Sequence, residues 1–220
     1  MSFLEALHVT DVFHSFTGLL LVPVIVLLVG FVIFSLYSIG SILSELIIER
    51  RHYRNVVPSL LAQIADGSPE EFDSIIESSS LLLRQKQALV ELVSYLYLPH
   101  DARYEVAKRL LLREEAVQRK VLDHTDIAAK VTPMLGLMGT LIPLGPGIVA
   151  LSTGDTQLLS QSLLIAFDTT IMGLASAVVC FIISRIRRRW YSDYTSGIES
   201  VMTTLLEKAE GLDSHEAHHE

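Results

Sequence analysis

Thr132-Pro133-Met-Leu-Gly136-Leu-Met-Gly139-Thr140-Leu-Ile-Pro143-Leu-Gly145-Pro146-Gly147 and, after a short polar loop, Ile165-Ala-Phe-Asp168-Thr169-Thr170-Ile-Met-Gly173-Leu174 decide the fold. Both are apolar segments of hydrocarbon length that carry glycine, proline and hydroxyl residues inside them. In lipid, such residues favour close helix contact or a polar pathway over contact with acyl chains.

The rest of the chain agrees with a bilayer setting. It has 220 residues, 50% of them hydrophobic, yet a formal charge of -8. The apolar residues gather in three blocks separated by polar sequence, the pattern of a membrane protein with a polar insert. The acidic balance gives no support for nucleic-acid binding. Cys180, the single cysteine, lies inside an apolar block, so it forms no intrachain disulfide and packs as a small hydrophobe.

From Phe16 to about Leu43 there is no charged residue, which is long enough to cross a bilayer with some tilt. Glu5 and Asp11 precede this run, so no cleaved secretory signal is expected. Pro23 sits near the start of the run, where a lost backbone bond is best tolerated. Arg50, Arg51 and Arg54 follow the first block, and Arg185, Arg187, Arg188 and Arg189 follow the third. Basic flanks prefer the cytoplasm, whereas the loop at 153–157 holds no basic residue and fits the outside.

These signals predict an all-α integral membrane protein with three transmembrane helices and long helices extending into the cytoplasm. The expected order is a short external N-terminus (1–15), a first span (16–43), a cytoplasmic helical insert (44–130), a two-helix core (131–184) and a cytoplasmic C-terminal helix and tail (185–220). The basic flanks orient the chain in the cell membrane with the N-terminus outside and the C-terminus in the cytoplasm. Trp190, Tyr191 and Tyr194 fall where an interfacial aromatic belt is expected.

Within the insert, Ser68-Pro69-Glu70-Glu71 reads as a capped helix start, and Leu81 to Leu96 carry helical spacing until Pro99. A second helix runs from about Ala102 to Lys130 toward the second span. Its mixed charges point to a solvated face. The insert has the character of a helical extension of the spans, not of an enzyme domain. The tail from Ser214 to Glu220 is histidine-rich but lacks the HExxH spacing, so no metal site is assigned. No phosphate-binding loop, dinucleotide fingerprint or nucleophile elbow is present, and no cofactor is expected.

Each residue advances about 100° around a helix. Ser162, Ala166, Thr169, Gly173, Ser176, Cys180 and Ser184 then form one stripe, with Phe167, Ile171, Leu174, Val178 and Phe181 opposite. Pro133, Gly136, Thr140, Pro143 and Gly147 share a stripe on the second span. Spacing alone permits two readings. One is small-residue packing and hinging at Pro133, Gly136, Gly139, Pro143 and Gly173. The other is an ion pathway whose hydroxyls come from Thr140, Thr169 and Thr170. Asp168 is the one acid well inside a span; burying such a charge costs on the order of 3 kcal/mol, which makes it a functional candidate by default. It lies between the bulky and small faces, the position of a helix or subunit boundary.

Pro133-Met-Leu-Gly136-Leu-Met-Gly139-Thr140 resembles the second-span motif of the MotA/TolQ/ExbB proton channel family, and Ala166-Phe-Asp-Thr169-Thr170-Ile-Met-Gly173-Leu174 resembles its third-span segment. The layout, with a large insert between the first two spans, is similar to the ExbB/TolQ-like branch. The resemblance implies a homo-oligomeric ring, a pentamer, enclosing single-span partners of the ExbD/TolR/MotB type whose aspartate exchanges protons. It makes Thr140 and Thr170 pore-facing and sets Pro133 at the cytoplasmic entrance. Two departures stand out: the glutamate that ExbB-type proteins carry five residues before the threonine is Ile165 here, and Asp168 replaces a small or apolar residue. The expected function is that of a proton-conducting subunit of an energy-transducing motor or stator, with no covalent catalysis. A non-conducting oligomeric membrane scaffold is the alternative.

Overall fold

A computed structural model describes the backbone of residues 3–47 and 51–217, and the side chains of 16–47 and 56–211. The side chains of Arg50, Arg51 and Arg54 and the histidine-rich tail lie outside these residues. The described residues form six α-helices: α1 (Phe3–Glu45), α2 (Arg51–Asp66), α3 (Phe72–Ser78), α4 (Leu83–Val93), α5 (His100–Thr153) and α6 (Thr156–Ala217). Three of them, over Phe16–Glu45, His100–Thr153 and Thr156–Gly211, are long and apolar enough to cross a membrane. The chain is an all-α, multi-pass membrane protein.

The contacts divide it into two units, one of residues 1–41 and 123–185 and another of 42–122 and 186–220. Both boundaries on the C-terminal side fall inside continuous helices, α5 and α6.

In the first unit α5 and α6 run antiparallel. Gly154, with φ 78°, turns the chain between them, a conformation that glycine adopts without Cβ strain. The Asp155 carboxylate then accepts the Leu158 N–H at 3.0 Å and caps the start of α6. Packing of α1 on α5 places Val24 and Leu28 against Leu135 and Ile142. The outward faces are apolar: Leu19, Val22, Ile33, Phe167, Ile171 and Phe181 are all more than half exposed, as acyl-chain contact requires. Because α1 begins at Phe3, well before the apolar run, Pro23 is in the helix interior and not near its start. The helix continues through it.

The second unit has its own core, built on Leu60, Ile64, Phe72, Ile76, Leu89 and Leu205. The capped start at Ser68 is present: Glu71 Oε2 accepts the Ser68 N–H at 3.2 Å, and Pro69–Glu71 form a 3-10 turn leading into α3. The leucine run, however, does not make one helix. Ser79 is extended (ψ 158°), and α4 starts only at Leu83. Serine hydroxyls at 78 and 79 donate to the carbonyls of Ile75 and Ile76 and compete with the helix ladder there. The segment 196–206 is no separate helix but the continuation of α6, with Ile198, Val201, Met202 and Leu205 in this core.

Trp190 and Tyr194 depart from the expected aromatic belt. Both are buried, at 3% and 4% exposure, so their rings pack inside the protein. Arg187 is likewise turned inward, its Nε 3.0 Å from Glu45 Oε2.

Candidate functional site

The α5–α6 contact in the first unit is set by residues without bulk. A Cβ built on Gly173 would stand 3.0 Å from the Gly136 Cα and 3.1 Å from the Thr132 carbonyl. One built on Gly136 would stand 3.2 Å from the Thr169 carbonyl. Further along, Gly147 faces the Ser162 side chain. The small stripe of α6 is buried throughout: Ser162, Ala166, Thr169, Ser176, Cys180 and Ser184 are each below 8% exposure. Close packing of the two helices accounts for the stripes within one chain.

Thr169 belongs to that packing. It is 7% exposed and fills the space left by Gly139, and its Oγ1 donates back to the carbonyls of Ile165 (2.9 Å) and Ala166 (3.0 Å). Thr140 and Thr170 differ. Both are half-buried, and their hydroxyls donate to Leu137 O (2.6 Å) and Ala166 O (2.8 Å). A hydroxyl that donates to its own helix keeps lone pairs free to accept from water.

The direction of these side chains follows from helix geometry. Gly139 faces Thr169 across an antiparallel pair. One residue on, each helix has turned about 100°, and opposite chain directions carry both turns to the same flank. Thr140 and Thr170 therefore share one flank of the α5–α6 pair. One residue back, Met138 and Asp168 turn to the other flank. Leu135 and Ile142, which hold α1, lie three residues before and four after Met138, on its side of α5. So α1 occupies the flank of Asp168 and, among the described residues, leaves the flank of the threonines without a helix of the first unit.

The four residues read from sequence as an ion pathway are thus divided. Thr140 and Thr170 come together on the α1-free flank, Thr169 lies between the helices, and Asp168 is exposed on the opposite flank. The prolines add polarity near them. Pro143 and Pro146 lack the N–H that would bond the carbonyls of Gly139 and Ile142, yet α5 runs on through both. Pro143, Pro146 and Ser162 border a recess of about 320 Å³ that also meets Thr17 and Gly18 of α1.

At the end of the pair remote from Gly154, the Ser184 hydroxyl donates to Asp126 Oδ1. Sequence reading missed this acid because it sits before the apolar block. Its position seven residues before Pro133 was the available signal. Of the basic residues after the third span, Arg185, Arg188 and Arg189 are exposed, and the Arg185 guanidinium lies 5.6 Å from the Phe181 ring centre. Among the described residues, no group of three or more His, Cys, Asp or Glu is placed to hold a metal ion.

Comparison with curated proteins finds no match. A family model does match, over residues 97–200, a stretch that contains both small-residue stripes and both half-buried threonines. That model is the MotA/TolQ/ExbB proton channel family, and over that stretch the chain matches it.

Proposed function

We propose that this chain is the proton-conducting subunit of an energy-transducing motor or stator complex of the inner membrane, in the ExbB/TolQ-like branch of its family. Copies of the chain assemble as a ring, a pentamer. The α1-free flank of each α5–α6 pair turns toward the lumen, and α1 turns toward lipid. A single-span partner of the ExbD/TolR/MotB type stands in the lumen and supplies the carboxylate that exchanges protons. The second unit lies in the cytoplasm and the N-terminus outside, as the basic flanks require.

One observation carries this reading: Thr140 and Thr170, from two helices, sit half-open on one flank with their own donors satisfied. Such a wall hydrates at little cost, because no hydroxyl proton is left without an acceptor. Thr169 positions the wall by fixing α6 on α5. Asp168 belongs to the boundary between neighbouring copies, not to the wall.

The scaffold reading relied on small-residue stripes to join copies. Those stripes are occupied inside one chain, which supports conduction instead.

The test is proton flux into liposomes carrying the complex purified with its co-purifying single-span protein. Thr140→Val and Thr170→Val are each expected to lower flux at least about tenfold, which is ~1.4 kcal/mol of barrier, with assembly intact. Flux equal to that of the parent protein in both variants overturns the proposal.

A further inference from the structure

The spacing that leads from Pro133 to Thr140 also leads back to Asp126. Seven residues close nearly two helical turns, so Asp126, Pro133 and Thr140 lie along one line of α5. Thr170, Ala177 and Ser184 lie along a matching line of α6. The lines belong to the same flank, and at their far end they are joined: the Ser184 hydroxyl donates to the Asp126 carboxylate. Ser184 is buried and Asp126 half-buried. Thr132, Thr140, Thr169 and Thr170 all return their hydroxyl protons to their own helices, whereas Ser184 gives its proton to an acid on the neighbouring helix.

Resting on the conducting role above, we propose that Asp126 is a proton-binding carboxylate at the end of the Thr140–Thr170 flank remote from Gly154, and that Ser184 positions it. A proton arriving along the hydrated flank binds a carboxylate oxygen and forms the neutral acid. The acid then releases that proton to water at the aqueous edge, and the carboxylate is regenerated. Only O–H bonds form and break. The charged and titratable groups within a helical turn of the pair along the chain are Asp123, His124 and Lys130 on α5 and Cys180, Arg185, Arg187 and Arg188 on α6.

The experiment is the pH profile of flux in the same liposomes, whose midpoint is set by a titrating group of the path. Asp126→Asn is expected to lower flux at least about tenfold, and Asp126→Glu to restore most of it with a displaced midpoint. Ser184→Ala is expected to move the midpoint by about half a pH unit or more, a readout that a purely structural role would leave in place. Parent-level flux in Asp126→Asn alongside lost flux in Thr170→Val overturns the role of Asp126 and leaves the threonine path standing. Parent-level flux in both overturns the path as well. Should Asp126→Asn not assemble, an unchanged midpoint in both Asp126→Glu and Ser184→Ala overturns the proposal.

Discussion

Gly139 and Thr169 occupy each other's space: a Cβ on residue 139 would stand 2.7 Å from both the Cβ and the Oγ1 of Thr169. That distance is shorter than real Cβ contacts, and the atoms met are the stiff, branched base of a threonine. Gly139→Ala is therefore expected to push α5 off α6 and destabilise the protein by about 1–3 kcal/mol. Adding Thr169→Gly is expected to recover most of the loss. Thermal unfolding of the single and double variants in detergent checks this, and the two changes couple because the residues touch.

Arg187 and Glu45 form an ion pair whose side chains are only 7% and 12% exposed. Removing one partner leaves the other charge enclosed and uncompensated. Arg187→Gln is expected to cost about 3–5 kcal/mol, and Arg187→Met with Glu45→Met clearly less. Arg189→Gln, at an exposed position, is expected to stay within about 0.5 kcal/mol of the parent. Unfolding midpoints of the three variants separate an enclosed pair from a set of equivalent topology anchors.

Asp168 and Thr170 lie on opposite flanks of α6 despite standing two residues apart. Asp168→Asn is accordingly expected to keep proton flux within about twofold of the parent while Thr170→Val loses it, a difference of ~1 kcal/mol or more in barrier. A loss of flux in Asp168→Asn equal to that in Thr170→Val contradicts the division of the site.

Arg113 donates to Glu91 at 2.7 Å, and this hydrogen bond to a carboxylate pushes the guanidinium pKa up from an already high value. A group whose pKa is raised by folding stabilises the fold at every pH below its ordinary range and loses that contribution only above it. The Arg113 contribution is therefore constant across neutral pH. The stability difference between the parent and Arg113→Gln is expected to be no more than about 1 kcal/mol, flat from about pH 6 to 9, and smaller in high salt.

The three spans were legible in sequence because lipid imposes a coarse rule: long apolar runs with charged ends. The small stripe on α6 was legible for the same reason, since Phe167, Ile171 and Phe181 mark the opposite face. What the stripe does was not. Whether glycines meet a helix of the same chain or of another copy depends on register, which only coordinates fix. The aromatic belt failed because Trp190 and Tyr194 sit next to the apolar block in sequence but on the inner side of a helix. The α3–α4 break failed because the capped start at Ser68 and the helical spacing from Leu81 read as one helix, while the competition of the Ser78 and Ser79 hydroxyls for the backbone between them is local. Asp126 was hidden by its distance in sequence from Ser184.

Thiol labelling in the assembled complex tests the central claim most directly, in a Cys180→Ala background that removes the one native cysteine, itself fully buried. Cysteines placed at 140 and 170 are expected to react with a membrane-impermeant, charged thiol reagent. Cysteines at 171 and 178, on the bulky outward face, are expected to resist it. Labelling at 171 and 178 with none at 140 and 170 would contradict a wet wall built from the two threonines.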